Sequence, residues 1–228
     1  MKMIIAYFKK LKRARNIKKA KNKIPPYLKK DFGVELNYKL WVTKGARFEA
    51  SARCNKLDSL SAKTVGYLSA YLIIINMLNV YQIPLYVKIP ENYLAFITTA
   101  LSILILIFSQ FEYAKNYKIQ SERFHQCAIE ISELYNRLRM VKTFASITNK
   151  EEEIEKISQQ YDLLLKRYEN HSPIDTLIFT TTKPGYFELS SIRCLVIKAK
   201  GYLITSVKYH FFIYMPIIAM IYFQLSKH

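Results

Sequence analysis

The residues whose types could support chemistry are few in this chain of 228 residues, and they are scattered. The four histidines do not stand at metal-ligand spacing: they are His125, His171, His210 and His228. The five glycines are isolated from one another, so no glycine-rich loop is available to cradle a phosphate group. The sequence therefore predicts no catalytic, metal-binding or cofactor-binding residues, and we expect a protein that is not an enzyme.

One histidine and one carboxylate stand close together along the chain. His171 and Asp175 are four residues apart, but Pro173 lies between them. We interpret the two side chains as partners in a structural hydrogen bond rather than as a catalytic pair.

The cysteines do not form a recognisable site. Cys54, Cys127 and Cys194 are odd in number, far apart and never in a Cys-x-x-Cys spacing, so they predict neither a disulfide framework nor a zinc site. We expect three buried, reduced thiols, which fits a protein that faces the reducing cytosol.

Two apolar runs, residues 65–83 and 93–111, contain 19 residues each and no Asp, Glu, Lys, Arg or His. A helix of that length is about 28 Å long, close to the ~30 Å hydrocarbon core of a bilayer. The connection, residues 84–92, is short and holds two prolines, which favours an antiparallel transmembrane hairpin. A buried hairpin in a soluble protein is the alternative, but two uncharged runs of this length are rare in soluble cores.

The charges around the hairpin predict its orientation. The chain carries a formal net charge of +18, and residues 1–63 alone hold 18 Lys and Arg against 4 Asp and Glu. The connection holds only Lys88 and Glu91. Because loops rich in Lys and Arg stay in the cytoplasm, we expect both flanks of the hairpin on the cytoplasmic side of the membrane.

The basic amino-terminal segment has more than one interpretation. Its brief apolar face, with Ile4, Phe8 and Leu11, precedes a run of lysines and arginines that suits an anionic membrane surface. Nucleic-acid binding and a merely solvated arm that sets the topology are the alternatives. We expect no cleavable signal peptide.

The polar residues inside the two apolar runs form a pattern. They are candidates for lining a pore or for packing helices: Ser69, Asn76, Asn79, Thr98, Ser102 and Ser109. Small and polar residues on one face let membrane helices pack closely and hydrogen-bond to each other. The sharper hypothesis is that a homo-oligomer gathers these faces around a water-filled path, with Asn76 and Asn79 lining it.

Beyond the hairpin the apolar pattern becomes periodic. Apolar residues recur every three or four positions from Phe124 to Val141 and again from Ile154 to Tyr168, which predicts two antiparallel amphipathic helices. We expect the first to continue from the second membrane helix. Thr148 and Glu151 predict a capping box that opens the second.

The remaining segments complete an all-α membrane fold. The predicted order is a basic arm (1–63), a transmembrane hairpin (64–112), a cytoplasmic helical hairpin (113–170), an irregular linker (171–201) and a hydrophobic segment (202–228). Pro173, Pro184 and Gly185 are the breakers that predict the linker. Residues 211–225 are apolar but contain Pro216, and we expect a third membrane segment there, with a buried or interfacial helix as the alternative.

In this order the parts resemble the SLATT domain, the SMODS- and SLOG-associating two-transmembrane effector domain of bacteria, in its fifth-subfamily form. The resemblance covers roughly residues 40 to 200. The residues that carry it lie in three places: Arg47, Ala50, Arg53 and Ser61 before the hairpin, His125, Cys127 and Tyr135 after it, and then Glu169, Asn170, His171 and Asp175.

The resemblance implies a membrane effector in defence against phage. Such effectors are paired with nucleotide-signal synthases, nucleotide sensors or reverse transcriptases, and their activation is thought to permeabilise the inner membrane. On this basis Glu169, Asn170, His171 and Asp175 are candidates for structural or signal coupling. The alternative function is a non-enzymatic membrane anchor or scaffold that recruits a nucleic-acid-processing or signalling partner.

Overall fold

The computed structural model describes residues 31–81, 90–144 and 149–225, and within these ranges every regular element is a helix. The helices are α1 (Phe32–Val80), α2 (Glu91–Ala114), α3 (Tyr117–Thr143), α4 (Lys150–Arg167), α5 (Pro173–Thr181), α6 (Ser191–Thr205) and α7 (Val207–Leu225). The basic residues 1–30, most of the hairpin connection and Thr148 of the predicted capping box lie outside the described residues.

Two helical stretches of the described chain, Phe32–Val80 and Asn92–Thr143, are long and apolar enough to cross a membrane. Only 17% and 11% of their most apolar windows are buried inside the protein. Most apolar side chains of these windows therefore point outward, as a bilayer requires and a soluble core does not. The all-α membrane fold class is confirmed. Helix α7 is not one of these two stretches, so its crossing stays a prediction.

Helix α1 is a single element of 49 residues. The predicted boundary at residue 63 is not the end of any helix, because α1 continues from the basic segment into the first apolar run. Between Phe32 and Val80 there is no proline to end the helix. One continuous helix therefore carries both the polar residues that precede the first apolar run and the apolar run itself.

The predicted continuity between the second membrane helix and the next helix is interrupted at residues 115 and 116. Helix α2 ends at Ala114 and α3 begins at Tyr117, and between them Asn116 has a positive φ of 49°. The backbone N–H groups of Lys115 and Asn116 bond to carbonyls only three residues back, at 3.3 and 3.1 Å. Asparagine tolerates this left-handed backbone conformation better than most residues, and the conformation of Asn116 breaks the helix here.

The chain forms two compact units, one from the described residues of Met1–Thr43 with Glu130–Arg167 and one from those of Lys44–Ile129 with Tyr168–His228. In the first unit, the end of α3 pairs with α4. Arg137 donates to Glu153 at 2.6 Å, and Arg167 reaches Glu130 at 3.5 Å. Because the partners run in opposite order along the chain, these two helical segments are antiparallel, as predicted.

Residues 171–201 are not an irregular linker. They contain α5 and most of α6, joined by a turn around Pro184 and Gly185. Pro173 stands at the first position of α5, where its missing N–H costs no hydrogen bond, and Ser172 and Asp175 form a capping box. The proline that predicts a break therefore begins a helix.

The cysteines differ slightly from expectation. Cys54 and Cys127 are buried free thiols, but Cys194 is only half-buried. It lies at the edge of the face of α6 that buries Ile197, Gly201 and Thr205.

Candidate functional site

A bidentate ion pair joins α1 to the start of α5 in the second unit. Arg53 Nε donates to Asp175 Oδ1 at 2.7 Å, and Arg53 Nη2 donates to Asp175 Oδ2 at 3.0 Å. The Asp175 side chain is fully buried, and its Oδ2 also accepts the backbone N–H of Ser172 at 2.9 Å. The carboxylate thus accepts three hydrogen bonds, which stabilises its charge away from water.

A second arginine of α1 is buried without a carboxylate partner among the described residues. Arg47 is 0% exposed, its Nη1 donates to the backbone carbonyl of Glu169, and its guanidinium lies 5.5 Å from the ring centre of Phe124. Its Nε and Nη2 have no hydrogen-bond partner in the described part of the chain. Arg47 therefore ties α1 to the segment before α5 through the Glu169 carbonyl and to α3 through the Phe124 ring.

His171 lies beside these arginines but does not bond to Asp175. Its Nε2 shares a hydrogen bond of 2.8 Å with Thr176 Oγ1, so the predicted His171–Asp175 bond is wrong. The capping box explains the difference, because Asp175 is already engaged by Ser172 and Arg53. Burial, followed by the positive charge of Arg47, lowers the pKa of His171 below its usual value, which favours a neutral ring at cytosolic pH.

The two remaining residues of the predicted coupling group play different parts. The Glu169 side chain is exposed and lies 3.9 Å from Arg123, so its main contact is through its backbone carbonyl. Asn170 is exposed. The structure therefore brings Arg47, His171 and Asp175 together and leaves the side chains of Glu169 and Asn170 outside the group.

A second buried polar network lies at the end of α2, where sequence reasoning did not look. Tyr209 Oη donates to Glu112 Oε2 at 2.6 Å, and both residues are buried. Lys115 and Lys208 pair with the other carboxylate oxygen, Lys208 at 3.5 Å. The signal in the sequence was the position of Glu112, an acidic residue directly after an apolar run.

The six polar residues predicted to line a pore or pack helices have different surroundings. Thr98 is buried and donates to the carbonyl of Ala95, and Ser102 donates to the carbonyl of Thr98, at 3.1 and 2.6 Å. Ser69 and Ser109 are half-buried. These four hydroxyls do not form one uniform exposed face.

Asn76 and Asn79 differ from the other four. Both are exposed on the apolar end of α1, and neither has a hydrogen-bond partner among the described residues. Their amides thus lie on the outside of a single copy of the chain.

These features define a class of helical membrane protein. Its first apolar stretch is continuous with a polar helical segment, and its second is joined to a polar helix by a short break. The polar helices carry a buried ionic network. The chain belongs to the SMODS and SLOG-associating 2TM effector domain family 5, which matches residues 29–223. The match confirms the family inferred from the sequence, including its subfamily. Neither a search of curated proteins nor a search of solved structures found a match.

Proposed function

We propose that this protein is the membrane-permeabilising effector of an antiphage defence system. It is a non-enzymatic protein of the bacterial inner membrane with its amino terminus in the cytoplasm. Several copies assemble when a cytoplasmic signal arrives, and the assembly opens a path across the bilayer. Membership in a family of two-transmembrane effectors and the two outward-facing apolar stretches support this proposal.

The exposure of Asn76 and Asn79 is the observation that carries the assembly step. An amide without a partner costs several kcal/mol in hydrocarbon. In a single copy these side chains are exposed and have no partner among the described residues. A second copy of the chain or a column of water removes that cost, and a ring of copies around water supplies both.

The continuity of α1 gives the signal a route to the membrane. Arg53 is held by Asp175, and Asn76 lies 23 positions later on the same helix, about 35 Å away. A partner or ligand that displaces α5 would pull on Arg53 and rotate or shift the part of α1 that runs from Arg53 to Asn76. The docked and the displaced positions of α5 would be two states of the protein, and the signal would shift the equilibrium between them.

The source of the signal is a partner encoded nearby. The resemblance to effectors paired with nucleotide-signal synthases, sensors or reverse transcriptases motivates this choice, and a nucleotide is one candidate for the signal.

The test is a membrane-potential measurement in cells that express the protein with its genomic neighbours during phage infection. We expect the wild-type protein to depolarise the membrane when triggered. The double variant N76L/N79L should insert normally but keep the potential, because its helices no longer carry the polar groups that favour a hydrated assembly. Wild-type protein solubilised in detergent from triggered cells should have the mass of several copies.

The control is Ile73→Leu. Ile73 is exposed on the same helix, and the substitution replaces one apolar side chain with another. This variant should depolarise cells as the wild type does. If wild-type cells keep their potential with every neighbour present, or if N76L/N79L depolarises them equally, the permeabilising function is wrong. An intact potential together with recruitment of a neighbour-encoded protein to the membrane fraction would instead establish the scaffold function.

A further inference from the structure

A cavity of about 390 Å³ lies in the second unit, between α1 and the junction of α2 with α3. Its position is at the end of the apolar runs, because Val65 begins the first run and Ser109 belongs to the last turns of the second. Its polar lining includes Asp58, Ser61, Glu112 and Lys118. A volume near the low end of the usual range for ligand sites, roughly 300 to 1,000 Å³, suits a small polar group.

Two groups of the polar lining have no partner among the described residues. Ser61 is only 7% exposed, and its hydroxyl has no hydrogen-bond partner among the described residues. Asp58 is half-buried and forms no ion pair with any residue that the structure describes. The Ser61 hydroxyl is not among the fully buried polar atoms that lack a partner, so it is accessible from the cavity. An accessible hydroxyl beside a carboxylate without an ion pair leaves two polar groups available to a polar ligand.

Two charged residues of the cavity lining have no compensating charge, and their charges are of opposite sign. Glu112 lines the cavity, but Lys115, Lys208 and Tyr209 already bind its carboxylate. Lys118 reaches the neutral side-chain oxygen of Asn55 at 3.5 Å, so its charge is not compensated there. Asp58 therefore offers a negative charge and Lys118 a positive one.

We propose that this cavity binds the head group of a zwitterionic phospholipid that carries a primary ammonium. Asp58 accepts hydrogen bonds from the ammonium, Lys118 pairs with the phosphate, and Ser61 donates to a phosphate oxygen. A ligand with both charges matches both free residues, whereas an anion or a cation alone leaves one of them uncompensated. The apolar surface of the neighbouring membrane helices can hold the acyl chains.

The experiment measures which lipid stays bound to the full chain. The purified protein is placed in nanodiscs that contain equal parts of phosphatidylethanolamine, phosphatidylcholine and phosphatidylglycerol. It is then released from the nanodiscs, and native mass spectrometry measures the mass of the protein with any lipid that stays bound. We expect phosphatidylethanolamine to be retained, because the choline group has no N–H donor for Asp58 and glycerol has no positive charge. A second arm replaces lipid with soluble phosphoethanolamine and follows thermal unfolding in detergent.

Two variants should lose the preference: Asp58→Asn and Lys118→Gln. Each removes one charge-assisted hydrogen bond, so we expect retention of phosphatidylethanolamine to fall by about tenfold. Glu122→Gln is the matched control, since it removes an exposed carboxylate of α3 that does not line the cavity. It should retain the lipid as the wild type does.

The two arms distinguish the sources of the ligand. A preference in the lipid arm supports the membrane lipid, and stabilisation by soluble phosphoethanolamine alone assigns the same chemistry to a free metabolite. Equal retention of the three lipids with no effect of phosphoethanolamine, or an unchanged preference in Asp58→Asn, would overturn the proposal. Because the measurement needs no trigger, its result is independent of membrane permeabilisation.

Discussion

At the scale of single residues, the pair formed by Arg53 and Asp175 is a buried, bidentate contact. Its carboxylate is fully buried, and 19% of the Arg53 side chain is exposed. Burying two charges is expensive, and good geometry with extra hydrogen bonds is what offsets it. The bidentate contact and the N–H of Ser172 supply both.

Replacing Arg53 with alanine leaves the Asp175 carboxylate buried without its main partner. We expect the free energy of unfolding to fall by about 3 kcal/mol or more, the usual cost of breaking a buried pair from one side. The measurement is denaturant unfolding of the detergent-solubilised protein, followed by helical circular dichroism.

Lys39→Ala is the comparison for this prediction. Lys39 pairs with Glu35 on the same helix, but the Lys39 side chain is 47% exposed. Exposed pairs of this kind contribute at most about 1 kcal/mol. Equal losses from Arg53→Ala and Lys39→Ala would show that the buried pair does not stabilise the fold.

The sequence indicates these residues individually but not their pairing. Arg53 and Asp175 are both among the residues that carry the family resemblance. They are 122 positions apart, so no local pattern joins them. The Glu112 and Tyr209 contact, across 97 positions, has the same property.

At the scale of helices, the close approach of α5 to α1 depends on a glycine. A Cβ atom added to Gly45 would fall inside contact distance of the Phe179 ring. Gly45 therefore lets the short helix lie directly against the long one, close enough for the contact of Arg53 with Asp175.

Gly45→Ala should destabilise the protein even though alanine favours helices. Phe179 must move, and overpacking of this kind costs about 1 to 3 kcal/mol. Gly66→Ala on the same helix meets nothing within 4 Å, so it should be neutral or stabilise by up to about 1 kcal/mol. Thermal unfolding midpoints of the two variants in detergent check this, and matching shifts of the same sign would contradict it.

Helix boundaries show where sequence patterns work and where they do not. The apolar spacings of residues 124–141 and 154–168 predict α3 and α4 because each helix buries one face. The break at Asn116 has no such signal, since one residue in a left-handed conformation leaves the apolar pattern intact. Pro173 wrongly predicts an irregular segment, because proline is common both after the end of a helix and at the first position of one.

At the scale of the whole molecule, the distribution of charge predicts the topology. The 18 basic residues before residue 64 would have to be translocated if the amino terminus were outside. We expect an epitope tag at the amino terminus to be inaccessible in intact spheroplasts and a tag inserted in residues 84–89 to be accessible. Both tags should react after the cells are permeabilised, and labelling of the amino-terminal tag in intact spheroplasts would refute the orientation.

The sequence alone determines the membrane character, the helical class and the family of this protein. Transfer into lipid depends on the composition of about 20 neighbouring residues, and helical periodicity depends on a few turns, so both properties are local. Only the tertiary structure decides that Arg53 meets Asp175, that Asn76 and Asn79 remain outside, and that Asp58, Ser61 and Lys118 share a cavity. Those arrangements depend on contacts between residues far apart in the chain, and burial is a property of the packed whole rather than of any segment.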